Sequence, residues 1–396
     1  MPWRTTCVPD ERARFIAEWL QRAEGMSRLC RRYEISRKTG YVWVARYETD
    51  GWVGLQERSH ARHHQAHAVS AAVATAVLGL RRAHPSWGAR KVRAWLQRQA
   101  PTQRWPAAST IGELLQHYGL TIPRRRRLGA APATTPLAGA VVPNDVWSTD
   151  FKGWFRTGDG ARCTPWTLTD NASRFLLRCQ VVARPDTHDV QPRLQAAFRE
   201  YGLPRALRTD NGPPFGSTAA GGLSRLAVWW IKLGIRPERI APGHPEQNGR
   251  HERMHATLAQ ETTRPPQATG RAQQRRFDRF REIFNHERPH EALGQQPPAA
   301  VYYPSPRPFP ERLPELEYPA HAVLRGVHGN GAIKWRGHEV FVSQALAGEV
   351  IALTEVLDDC WRVAFGPVTL GWFDTRQPAR RRAHHFTPKL LPISPV

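Results

Sequence analysis

The chain of 396 residues lacks any run of 18 apolar residues. No segment therefore reads as a membrane span. Its first residues, Met1-Pro2-Trp3-Arg4, have no apolar core and do not read as a signal peptide. Cysteine is sparse: Cys7, Cys30, Cys163, Cys179 and Cys360 are odd in number, scattered, and form no C-x-x-C pair. That excludes a disulfide framework and a cysteine zinc site, and points to a reducing cytoplasm. Acid is also scarce, with 34 Asp and Glu against 57 Lys and Arg, a net charge of +23. Only six of the basic residues are Lys, so the excess is almost all arginine. With 40% hydrophobic residues and 15 Trp the chain is not a disordered polycation. A folded chain of this charge points to a polyanion partner, nucleic acid first.

The charge is uneven. Residues 1–130 carry a net +14, residues 144–300 carry +7 and residues 301–396 carry +2. The first third reads as helical. Phe15, Ile16, Trp19 and Leu20 recur at helical spacing over residues 12–21, and Gly25 breaks the pattern. A short segment spans 27–33, and Ser36 is placed to cap a third over 36–47. Three short helices with a tight second turn describe a helix-turn-helix over 1–58. The third helix would present Arg37, Lys38, Thr39 and Tyr41 to base edges. His60, His63, His64 and His67 read as a solvated linker rather than a metal site, because no Cys or carboxylate joins them. A second trihelical unit is predicted over 66–128, with helices at 69–82, 87–99 and 107–118 and Gly119 as the stop. Arg124, Arg125, Arg126 and Arg127 follow as a phosphate-contacting arm.

Past residue 144 the order becomes strands at 146–155, 164–169 and 174–182, a helix at 186–201, a strand at 206–209, a helix at 223–233, a strand at 234–240 and a helix at 246–262. This is a mixed α/β layer fold spanning 144–300. Asp150, Asp210 and Glu246 stand at the ends or edges of these elements. Oxygen donors with little else suit hard cations, Mg²⁺ with Mn²⁺ able to substitute. Two such ions would activate a water or a 3′-hydroxyl at a phosphodiester. Asp170, followed by Asn171 and Ser173, reads as a hairpin turn and does not join the ligand set. Gly212 is placed to supply positive φ after its strand, and Gly249 to permit a close approach to its helix.

The segments Trp147-Ser-Thr-Asp150-Phe, Arg208-Thr-Asp210-Asn-Gly212-Pro-Pro-Phe215 and Pro242-Gly-His-Pro-Glu246-Gln-Asn-Gly249-Arg-His-Glu-Arg-Met254 resemble the catalytic motifs of insertion-sequence transposases of the retroviral-integrase type. The 35 residues between Asp210 and Glu246 match that family's signature. Phe284 to Gly294 and Pro297 to Tyr302 resemble its post-catalytic tail. The resemblance implies an RNase H-like core whose metal ligands are Asp150, Asp210 and Glu246. It implies hydrolysis and strand transfer on double-stranded DNA, at terminal inverted repeats and at a target. Arg250 and Arg253, at +4 and +7 from Glu246, would approach the DNA phosphates. A homo-oligomer, at least a dimer on DNA, and a place in the bacterial cytoplasm at the nucleoid follow from the same likeness.

His251-Glu252-Arg253-Met254-His255 and His286-Glu287-Arg288-Pro289-His290 both match H-E-x-x-H. Pro289 would break the second helix, and the first has no third ligand at an evident spacing. Neither is taken as a zinc site. Beyond a Pro-rich stretch, short strands over 318–390 predict a small C-terminal β-barrel.

Overall fold

The computed structural model describes residues 8–57, 69–121, 139–241, 245–357, 359–374 and 386–388. The His60 to His67 run and Arg124 to Arg127 lie outside these residues. The chain divides into two compact units, 1–68 and 69–396.

The first unit is the expected trihelical bundle, α1 (Val8–Leu20), α2 (Met26–Arg32) and α3 (Arg37–Asp50). Phe15, Ile16, Leu29, Cys30, Val44 and Leu55 form its core. Ser36 caps α3 by accepting the Thr39 N–H at 3.1 Å. Gly40 lies at the crossing of the helices. A Cβ there would stand 2.5 Å from Cys30 Sγ and 3.1 Å from Phe15 Cζ. Gly40→Val should therefore lower the unfolding midpoint of this unit, by a cost of about 2 kcal/mol. An unchanged midpoint would mean that α2 and α3 can separate freely.

The second unit opens with α4 (Ala71–Ala83), α5 (Ala89–Gln99) and α6 (Ala108–His117), packed around Val77, Trp87, Val92, Leu96, Ile111 and Leu115. Gly119 ends α6 at φ +66°, as its type and position predict.

The mixed sheet follows: β1 (Val146–Phe151), β2 (Phe155–Arg156), β3 (Arg162–Asp170), β4 (Leu176–Val182), α7 (Thr187–Tyr201), β5 (Ala206–Thr209), α8 (Arg225–Lys232) and β6 (Arg236–Arg239). The strand order is β2-β3-β1-β5-β6, with β4 also on β3. β3 is antiparallel to β1 and β4, whereas β1, β5 and β6 run parallel. This is the layered α/β core expected for 144–300. Alternation decides the two faces. Trp147, Leu168 and Leu207 join Val190, Leu194 and Phe198 of α7 and Leu226 and Trp230 of α8 in one apolar core. The opposite face carries α9 (Gly249–Thr262) and α10 (Gly270–Glu282), which bury Met254, Leu258, Phe277 and Phe280 against Cys163, Leu176 and Cys179.

The helices α4–α6 are fastened to the segment just beyond α10. Lys91 Nζ donates to the Pro289 carbonyl at 2.7 Å and Arg98 Nη2 to that of Glu287 at 2.8 Å. Arg90 pairs with Glu291 at 2.7 Å. Glu261 of α9 accepts from Ser86 and from Arg288. Three basic residues of α5 are thus occupied by the core.

The C-terminal region corrects one expectation. β7 (Val323–Gly326), β10 (Val350–Leu357), β11 (Cys360–Phe365), β12 (Val368–Asp374) and β13 (Phe386–Pro388) form an open sheet in the order β13-β12-β11-β10-β7. β8 (Ala332–Trp335) and β9 (His338–Phe341) pair only with each other. No closed barrel forms among the described residues. The reason lies in the core: Ile351, Leu353, Val363, Phe365 and Leu370 join the same apolar cluster as α8. A sheet whose apolar residues join the core of the α/β layer has no need to close on itself.

Candidate active site

β1 and β5 run parallel with Val146 opposite Ala206, Trp147 opposite Leu207 and Ser148 opposite Arg208. Carried two residues further, that register sets Asp150 beside Asp210, at the C-terminal ends of adjacent strands. Arg208 anchors the pair from below. Its Nε and Nη2 donate to Glu238 Oε2 on β6 at 3.1 and 2.7 Å, and both residues are buried. Asp210 Oδ1 accepts the Gly212 N–H at 3.2 Å. Gly212 does not take positive φ, contrary to expectation. A Cβ there would stand 3.2 Å from Asp210 Oδ2, so close approach to the carboxylate explains the glycine.

Asp150 Oδ1 accepts the Phe151 N–H at 2.7 Å. Burial, then the charge of Asp210 and that of Glu252, push its carboxyl up to about 7, against the Phe151 N–H and Lys152, which lower it. Burial also raises Asp210, opposed by the Gly212 N–H and by Arg239. Half-buried carboxyls that repel one another are relieved by a divalent cation, and an oxygen donor set fits a hard one.

α9 runs across this corner. Asn248 Nδ2 donates to Asp150 Oδ2 at 3.4 Å, and His255 Nδ1 lies 3.8 Å from the same oxygen. Glu252, in the first turn of α9, is four residues after Asn248 and three before His255. All three share one helix face, which agrees with the charge that Asp150 feels from Glu252. Glu246 sits in the 3₁₀ turn Pro245–Asn248 ahead of α9, and its side chain is outside the described residues.

Two family profiles described as integrase core domain match residues 140–245 and 233–298. A helix-turn-helix domain profile matches 11–63 and a homeodomain-like profile matches 39–115. Residues 140–298 of the chain thus match an integrase core domain. It is 29% identical over 231 residues to the insertion element IS476 uncharacterized 39.2 kDa protein of Xanthomonas euvesicatoria, covering 58% of this chain and 64% of that one. It is 31% identical over 191 residues to the insertion element IS407 uncharacterized 31.7 kDa protein of Burkholderia multivorans, covering 48% and 66%. The chain thus spans just under two thirds of the length of these relatives. Among solved structures it is similar to the simian T-cell lymphotropic virus intasome, at 16% identity over 70% of this chain and 97% of that one, TM-score 0.35. It is also similar to the catalytic core of BIV integrase, at 19% identity over 40% and 92%, TM-score 0.31.

The other expected site residues of this chain fall in separate places. Arg37 and Lys38 are exposed at the start of α3, and Tyr41 is 59% exposed. Thr39 is drawn into the cap, its Oγ1 2.9 Å from Ser36 Oγ. Arg250 donates to the Asn171 carbonyl at 3.2 Å, and Arg253 is exposed on α9. Asp170 accepts from the Asn144 N–H, the Ser173 N–H and the Ser173 hydroxyl, as a turn residue would. Among the described residues outside its own helix, no atom lies within 4 Å of a Cβ built on Gly249, so no close approach by another segment is seen there. In the second H-E-x-x-H match the helical path ends with the π-turn Ile283–Glu287, short of Pro289. Arg174 carries no motif in the sequence. It holds φ +66° and donates to the Asn171 carbonyl at 2.6 Å, and Arg250 and Arg253 depress its guanidinium further after burial. Its signal is hidden, since an arginine after Asn-Ala-Ser reads as turn chemistry.

Proposed function

We propose that this chain is a transposase that cuts a phosphodiester at the ends of its element and joins the freed 3′-hydroxyl to target DNA. The observation that carries this reading is the placing of Asp150 beside Asp210 at the ends of two parallel strands, with the Glu252 charge felt from α9. These carboxylates would hold Mg²⁺ or Mn²⁺. When bound, such ions activate the attacking hydroxyl and stabilise the leaving oxygen. Asn248 would orient the Asp150 carboxylate through its amide. Arg250 and Arg253 would receive DNA phosphates beside it, with Arg174 adjoining them. Sequence spacing nominates Glu246 as the third ligand, and the contacts of α9 favour Glu252. Residues 1–127 would bind the terminal inverted repeats, and two ends joined to one target require at least a dimer on DNA.

The test is Mg²⁺-dependent cleavage and strand transfer on the DNA flanking the gene. Specific binding without cleavage, in Mg²⁺ and Mn²⁺ alike, would sink the enzymatic reading in favour of a DNA-binding regulator.

End binding should weaken steeply with salt. Arg37→Ala and Lys38→Ala should each cut affinity, and each should reduce the slope of log K against log salt by about one where the residue meets a phosphate. Unchanged affinity together with unchanged slopes in both variants would remove the start of α3 from the interface.

A further inference from the structure

His251 and His255 stand one turn apart on α9, both buried, their rings edge to face at 4.5 Å between centroids. Both reach one hydroxyl. Thr167 Oγ1, on β3 opposite Asp150, lies 2.7 Å from His251 Nε2 and 2.7 Å from His255 Nε2. The other ring nitrogen of His251 lies 2.9 Å from Thr169 Oγ1. Both nitrogens of His251 are therefore committed to threonine hydroxyls, and it has no lone pair to give a metal.

His255 differs. Its Nδ1 makes no hydrogen bond among the described residues and faces Asp150 Oδ2 across 3.8 Å. That gap is too long for a hydrogen bond. It suits two ligands on one cation, since metal–nitrogen and metal–oxygen bonds of about 2.0–2.2 Å span up to about 4 Å. Proton counting allows it. Thr167 has one hydroxyl proton, and the Asp150 carbonyl at 3.3 Å is one of its acceptors beside the two Nε2 atoms at 2.7 Å. With the proton directed at the carbonyl, both histidines donate Nε2–H to Thr167, and His255 Nδ1 carries a lone pair aimed at a carboxylate oxygen. With Asp150 ionised, a cation between the two acceptors would satisfy both. Asp210 and Glu252 act on Asp150 against Lys152, and Lys152 also acts on His255.

We propose that His255 Nδ1 is a nitrogen ligand to the cation held by Asp150, and that this mixed carboxylate–imidazole site takes Mn²⁺ in preference to Mg²⁺. The inference rests on the carboxylate metal site proposed above. An imidazole donor suits transition-metal ions, whereas Mg²⁺ keeps to oxygen. Thr167 and His251 then act as positioning residues that hold the imidazole in the metal-binding tautomer.

Pulsed electron paramagnetic resonance on the full chain loaded with Mn²⁺ tests this without a variant. A nitrogen coupling that changes isotope signature in ¹⁵N-histidine protein is expected. His255→Gln should abolish the coupling and weaken Mn²⁺ binding about tenfold in calorimetry, with Mg²⁺ binding changed less than about twofold. Mn²⁺ binding that is lost in Asp150→Asn but shows no nitrogen coupling would overturn the role of His255 and leave the carboxylate site standing. Mn²⁺ binding indifferent to Asp150→Asn would overturn both.

Discussion

Asp150→Asn should abolish metal-dependent cleavage and, in metal-free protein above neutral pH, raise the thermal midpoint. Both effects come from one carboxyl. Burial and the charges of Asp210 and Glu252 lift it from 3.8 to about 7 in the folded chain. Between those two values the native state holds a proton that the unfolded state has already released. Stability is then greatest below about pH 4 and falls as pH rises through 7, the direction for an acid whose folded value is raised. The interval corresponds to roughly 4 kcal/mol at most. Asparagine keeps the shape and removes the penalty. The variant should therefore melt above wild type at pH 8 in chelator, and the difference should shrink at pH 5. Mg²⁺ should raise the wild-type midpoint and leave that of the variant unmoved. A variant less stable than wild type at pH 8, or an equal shift at both pH values, would show that no such repulsion is stored at the site. The acid that costs the fold stability is the one the chemistry needs.

The local parts of this architecture are legible in the sequence. The Ser36 cap, the Gly119 stop and the strand at 206–209 are decided within a few residues, by hydrogen bonding and backbone preference. The pairing of Asp150 with Asp210 is nonlocal, yet it too is foreseeable, because each acid lies on or just past a strand of one layered α/β fold. What the sequence leaves open is set by packing between distant segments. Strand periodicity over 318–390 is the same for a barrel and for an open sheet, and the choice falls to the core cluster that its apolar residues share with α7 and α8. No local pattern announces the partners of the basic residues of α5, and the segment beyond α10 takes three of them. His251 and His255 match a protease pattern for a different reason. Their spacing puts both on one turn-to-turn face, and Thr167 waits opposite.

Glu252→Gln should lower cleavage about 1000-fold, the order expected when a cation that supplies several kcal/mol loses a carboxylate ligand. Glu246→Gln should lower it less than about tenfold. The two glutamates are six residues apart, and sequence spacing alone prefers the first, with 35 residues after Asp210 against 41 for the second. Helix geometry prefers the second. Asn248 and His255 both lie against Asp150 Oδ2, and residue 252 falls between them on the same face of α9. A residue two before Asn248, in a 3₁₀ turn, does not inherit that face. Glu252 is exposed, so its loss should leave the melting midpoint and DNA affinity close to wild type. The pair of variants thus separates a missing ligand from a damaged fold. Should Glu246→Gln be the inactive one, the loop before α9 must fold over the site once metal and DNA are bound, carrying the ligand in from the turn. Should both be inactive, the cations are shared between turn and helix. Activity retained in both would leave Asp150 and Asp210 without a third acid from α9 or the turn before it, and would reduce the proposed triad to a pair.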